Sequence, residues 1–99
     1  MKVTKEADAI RKLLLWHVAA VLLKLREYEE EGYNPTISEL IDATGVSPSL
    51  FHTSLKRKFE AAGLLKFRRN PDRTVTVQLT EKGRKLAECL KPCREIIGV

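Results

Sequence analysis

Ninety-nine residues, 43% hydrophobic and 31% charged, suffice for one soluble domain with a core and leave little material for a second. A net charge of +5 and a pI near 9.4 favour a polyanionic partner. The apolar run from Leu13 to Leu23, broken by His17, is too short to span a bilayer, and the charged start MKVTKEADAIRK does not read as a signal peptide.

The chain is therefore expected in the cytoplasm, or in the host cytoplasm if its source is a virus, with no membrane partner. No phosphate-binding glycine loop, nucleophile elbow or carboxylate–histidine constellation is present, so neither an enzyme nor a cofactor is expected. The position of the charge is more informative than its size. Residues 47–73 hold seven basic side chains against two acidic ones, and the remainder holds eleven of each, so the whole excess lies in one block. Segregation of this kind marks an electrostatic footprint for nucleic acid.

In chain order, the first element is a helix over residues 5–31, with no proline or glycine to interrupt it. Leu13 to Trp16 and Val18 to Leu23 cover more than one of its faces, whereas packing on a single core needs one stripe. Either a second copy covers the excess or the chain wraps the helix on two sides; a homodimer is the simpler reading. Leu14, Trp16, Val18 and Leu22 are its candidate interface residues. His17 lies within this run as a ligand, as a pH switch, or as a packed histidine with one nitrogen hydrogen-bonded, and the last needs no further ligand nearby. Glu27, Glu29, Glu30 and Glu31 oppose the helix dipole and are expected to fray the C-terminus.

After the Gly32-Tyr33-Asn34-Pro35 linker, residues 36–63 carry a helix-turn-helix pattern. Thr36 and Glu39 form a capping box, Gly45 provides the turn, Ser47-Pro48 open a second helix and Gly63 closes it. Ile37, Leu40 and Ile41 face inward on the first helix, and Phe51, Leu55, Phe59 and Ala62 on the second. A uniform helical projection puts Ser49, Thr53, Lys56 and Glu60 on the opposite side, with His52 and Arg57 at the borders. The same projection puts Lys58 near the buried side, so either it snorkels out or the packed face is rotated. Residues 64–79 read as a β-hairpin: Val75, Val77 and Leu79 alternate with Thr74, Thr76 and Gln78, and Asn70-Pro71-Asp72 is turn chemistry. Arg68, Arg69 and Arg73 surround its tip.

Thr80 caps a last helix over residues 80–97, whose Leu86, Leu90, Cys93 and Ile97 form a seam suited to pairing with the first helix. Pro92 is expected to kink or split it. Cys89 and Cys93 lack zinc-ligand spacing and are too far apart on a helix for an intrachain disulfide. They read as small buried hydrophobes, with a bridge between subunits as the alternative.

The stretch ISELIDATGVSPSLFHTSLKRKFEAAGLL, the basic hairpin and VQLTEKGRKLAE resemble the winged helix-turn-helix regulators of bacteria and archaea. The multiple antibiotic resistance (MarR) and phenolic acid decarboxylase (PadR) regulator groups are nearest in style, and the compact winged-helix proteins of archaea and their viruses are nearest in size. The resemblance covers about residues 36–88 and implies a mainly α fold with a small β-hairpin wing, in which the long N-terminal and C-terminal helices form the dimer interface. It further implies that the second motif helix enters the major groove and the wing lies on the minor groove or backbone. In a two-fold dimer the recognition helices would then sit about 34 Å apart. Ser49, His52, Thr53 and Lys56 are assigned to base contacts; Arg57, Arg68, Arg69 and Arg73 to phosphates or the minor groove; and Ser47 with the helix N-terminus to phosphate. One departure stands out. Phe51, Leu55, Phe59 and Gly63 step by four, where the family has a step of three before its final leucine. The alternative function is a winged-helix module that docks within a larger protein complex.

Overall fold

The protein is described by a computed structural model covering residues 5–97, with side chains described over residues 17–92. Helix α1 (Lys5–Glu30) is the longest element. It presents Val21, Leu22 and Leu25, one turn apart along one side, to the core, with Val18 packed at the edge. Helix α2 (Ile37–Thr44) follows a complete capping box: the Thr36 hydroxyl accepts from the Glu39 amide at 3.2 Å and the Glu39 carboxylate accepts from the Thr36 amide at 3.1 Å. Gly45, at φ 72°, ends α2 and sends its own N–H back to the Ile41 carbonyl.

The second motif helix is not uniform. It is α-helical over Pro48–Leu50 (α3), forms a π-helical turn over Phe51–Leu55, and resumes as α-helix over Lys56–Ala61 (α4). Within the turn the Lys56 N–H reaches the Phe51 carbonyl, five residues back. At its end Gly63 (φ 69°) donates to the Glu60 carbonyl and Leu64 to that of Phe59, the paired bonds of a Schellman cap.

Strands β1 (Leu65–Arg69) and β2 (Val75–Leu79) pair antiparallel, with Leu65 opposite Leu79 and Arg69 opposite Val75. The linker adds a third, minimal strand. Val77 donates to the Pro35 carbonyl at 2.9 Å, and Thr36 bridges to Thr76. This pairing joins the ribbon to the start of α2. Helix α5 (Glu81–Ile97) returns along α1. Phe51, Leu55 and Phe59 from the second motif helix meet Leu22, Leu40, Val77 and Ala87 in one core. Each of these side chains other than Ala87 contributes about 1.5–3 kcal/mol by leaving water.

Four expectations need correction. The acidic end of α1 does not fray: Gly32 donates to the Glu29 carbonyl and Tyr33 to that of Tyr28, closing it with a Schellman cap. Of the two outcomes expected at Pro92, a kink or a split, the split does not occur, since α5 runs through Pro92 to Ile97. Cys89 is exposed rather than buried, because it lies on the outer side of α5 from Ala87. Leu22, expected at a dimer interface, is 0% exposed within the chain itself and has no surface left for a partner. Val18 and Leu90 are half-buried and Leu86 is 36% exposed, while Leu14, Trp16, Cys93 and Ile97 lie outside the described side chains. His17 is half-buried, and its Nδ1 has no hydrogen-bond partner among the described residues.

Candidate nucleic-acid interface

The basic block of the sequence lies on the second motif helix and the ribbon beside it. Ser47 caps α3, its hydroxyl oxygen accepting from the Leu50 amide at 3.4 Å, which leaves the hydroxyl hydrogen available to an outside acceptor. Ser49, His52 and Thr53 are exposed on the next turn. The Thr53 hydroxyl donates to the Ser49 carbonyl at 2.6 Å, so outward it offers only lone pairs and a methyl group. Such a side chain accepts from an adenine or cytosine amino group, or packs on a thymine methyl. The ring of His52 stands edge-on to that of Phe51, with centroids 5.8 Å apart.

The π turn changes which cations face outward. In an unbroken α-helix at about 100° per residue, Lys58 falls within about 20° of buried Phe51. The structure instead has Lys58 exposed and Lys56 half-buried, with the Lys56 ammonium 5.2 Å from the centroid of the Phe67 ring on β1. One extra residue absorbed by the π turn moves everything after it back by about 100°. Arg57 then points away from the core and Lys56 comes to its flank, against the wing. The expectation that Lys56 lies opposite the core is corrected accordingly, and Arg57 is fully outward rather than at a border. Phe51, Leu55 and Phe59, spaced by four, are all buried, the first two across the π turn.

In the wing, alternation separates two neighbouring arginines. Arg69 shares a face of the ribbon with Phe67 and hence with the second motif helix, whereas Arg68 shares the opposite face with Lys66. The tip is held by short-range bonds. Asn70 donates to the Thr74 carbonyl at 2.8 Å, Arg73 donates to the Asn70 carbonyl at 3.0 Å, and Asp72 Oδ1 accepts from the Thr74 amide at 3.1 Å. These bonds with the Thr74 side chain and backbone hold the Asp72 carboxyl below its ordinary value. Arg73 adopts φ 72°, a left-handed conformation uncommon for a residue with a side chain.

At the far end of α1 an acid is tied to cations of its own. Arg84 of α5 forms a two-pronged pair with Glu29 (Nη2 to Oε2 2.9 Å, and Nε to Oε1), and Arg26 bonds Glu29 Oε1 at 3.2 Å. The hydrogen bond from Arg84 is the main reason the Glu29 carboxyl titrates below its ordinary value. Between this clamp and the ribbon lies a cleft of about 190 Å³ lined by Leu25, Glu29, Tyr33, Lys66, Gln78 and Arg84. That is smaller than the roughly 300–1,000 Å³ of most small-molecule sites. Among the described residues there is no metal-ligand cluster and no helix long and apolar enough to cross a membrane.

All nine side chains expected to touch DNA are on the α3–α4 and wing surface, eight of them exposed and Lys56 half-buried. Sequence reasoning missed Lys58, which joins the exposed set, and the role of Lys82. The Lys82 ammonium bonds the Ala62 carbonyl at 2.8 Å and so caps the recognition helix from α5. Only the ambiguity over Lys58 hinted at the first; a contact across 20 residues left no local signal for the second.

Comparison with known proteins gives the geometry a context. Residues 6–97 match the ArnR1-like winged-helix domain. Among solved structures, AF1382 from Archaeoglobus fulgidus superposes with a TM-score of 0.72 at 25% identity, covering 92% of this chain and 98% of that one. MepR, a transcription regulator of the Staphylococcus aureus multidrug efflux pump MepA, superposes at 0.67 with 20% identity over 88% of this chain and 65% of its own. Bordetella bronchiseptica BpsR, whose DNA binding is regulated by 6-hydroxynicotinic acid, superposes at 0.62 with 24% identity over 95% and 81%. No curated protein matches the sequence significantly.

Proposed function

Since this chain belongs to the ArnR1-like winged-helix domain family, we propose that it is a transcription regulator that binds double-stranded DNA as a homodimer. The observation carrying the proposal is the set of exposed basic side chains on the second motif helix and the wing, with Glu29 at the end of α1 neutralised by Arg84 and Arg26. In this reading Ser47 and the arginines of the wing hold phosphates, while Ser49, His52 and Thr53 enter the major groove. Arg69, on the recognition-helix side of the ribbon, contributes more than Arg68.

The dimer is supported by apolar surface the chain does not cover: Leu86 is 36% exposed and Val18 and Leu90 only half-buried, on the two helices that run together. A two-fold arrangement of these helices would present two recognition helices to successive turns of a roughly palindromic site.

Binding to duplex DNA measured across salt concentrations tests the proposal. With six to ten phosphates neutralised per dimer, affinity should fall by about 10³–10⁵ between 50 and 200 mM salt. Arg69→Ala should flatten that dependence more than Arg68→Ala. Failure to bind any duplex at low salt refutes the reading, and a monomer in light scattering at micromolar concentration refutes its dimeric part.

A further inference from the structure

The π turn in the recognition helix does more than accommodate one extra residue. With its wider turn, Ser49 and Arg57 fall within about 20° of each other on the helix, on the side opposite Phe51, Leu55 and Phe59. Thr53 lies between them, so the three form a single outward stripe running away from the helix N-terminus. Without the π turn, Arg57 would sit about 100° further round. Lys56 is turned aside, its ammonium over the Phe67 ring at the base of the wing. Arg57 is exposed and pairs with no carboxylate among the described residues.

Deepening the DNA-binding reading on which it rests, we infer that Arg57 is the cation that reads a base in the major groove, that its target is a guanine, and that Lys56 is not a base-reading residue. The target follows from chemistry. Guanidinium presents a planar fork of donors, and guanine alone offers two adjacent acceptors, O6 and N7, on its major-groove edge. Reach agrees with this. Arg57 is about two turns deeper along the helix than Ser49, and only a long side chain bridges from there to a base edge. Lys56, held against the wing, instead sets charge where the ribbon meets the phosphate backbone. Thr53, restricted to accepting, complements the stripe by favouring an amino-bearing base or a thymine next to that guanine.

The test is selection of bound duplexes from a random pool by the full-length chain, followed by titrations on the selected site and its single base-pair variants. The wild type should select a G·C pair in each half-site and lose about 5- to 150-fold in affinity when it is changed. Arg57→Lys keeps the charge but not the fork, so it should bind the pool with a similar salt dependence and discriminate at that pair less than threefold. Lys56→Ala should lower affinity for all duplexes alike and keep the preference. Two results overturn the inference while leaving the DNA-binding reading intact: Arg57→Lys and Arg57→Ala both retain every base preference of the wild type, or Lys56→Ala abolishes one. A wild type that binds no duplex overturns both.

Discussion

Deleting Ser54 is the sharpest probe of the recognition helix. The residue lies inside the π turn, half-buried, and in a π turn one residue is surplus to an α-helical path. Its removal brings Leu55 to three residues and Phe59 to seven residues after Phe51, the spacing of a single face of an ordinary α-helix. The three buried side chains keep their places, and the expected loss is within about 1 kcal/mol, an ordinary surface-like change. Inserting one alanine between Lys58 and Phe59, outside the turn, has no such outlet, because losing the π turn would carry Phe59 still further round. It rotates Phe59, now 2% exposed, by about 100° relative to Leu55, and the cost approaches the roughly 3–5 kcal/mol of losing a buried phenylalanine. At about 4–8 °C per kcal/mol for a domain of this size, that difference is about 8–32 °C in Tm. Thermal and urea unfolding followed by far-ultraviolet circular dichroism, at one protomer concentration because dimerisation feeds into apparent stability, measures both variants. Equal destabilisation by the two would refute the π turn and with it the outward placement of Arg57.

Three other expectations follow from single observations. A Cβ at Gly83 would sit 2.1 Å from the Leu64 carbonyl oxygen, a backbone atom that cannot swing aside, so Gly83→Ala should destabilise by at least about 1–3 kcal/mol in urea unfolding. Arg73→Gly removes a side chain from a φ of 72°, so thermal stability should hold or rise while the salt slope of DNA binding falls by about one unit per protomer. Glu29 has a depressed folded-state pKa, so its share of stability is complete above the ordinary carboxylate range and is lost as pH falls through the depressed value. Arg84→Gln should return the Glu29 titration, read by carboxyl NMR shifts, toward the ordinary value and remove that acid-limb loss; an unchanged titration would count against the clamp.

Much of this was legible along the chain because it depends on neighbours a few residues apart. Thr36 and Glu39 form their box, Gly45 and Gly63 close their helices, and Val75, Val77 and Leu79 alternate whatever the rest of the molecule does. The segregation of charge survives folding because helix and hairpin are consecutive. Part of what failed was settled by contacts distant in sequence. Leu22 was assigned to a partner because nothing local shows that the rest of the chain buries it. The acids ending α1 were expected to fray that helix because Arg84, 55 residues on, is invisible from Glu29.

The amino-acid sequence by itself determined that there is a capped helix-turn-helix, a ribbon after it and a basic block across both, since caps, turns and period-two alternation are short-range physics. Only the tertiary structure decided the rotation of the recognition helix. Phe51, Leu55 and Phe59 fit a uniform α-helix and a π-bulged one almost equally well by periodicity. Burying all three against Leu22, Leu40 and Val77 while releasing Lys58 to water selects the bulged form, and in doing so exchanges Lys56 for Arg57 on the outward face.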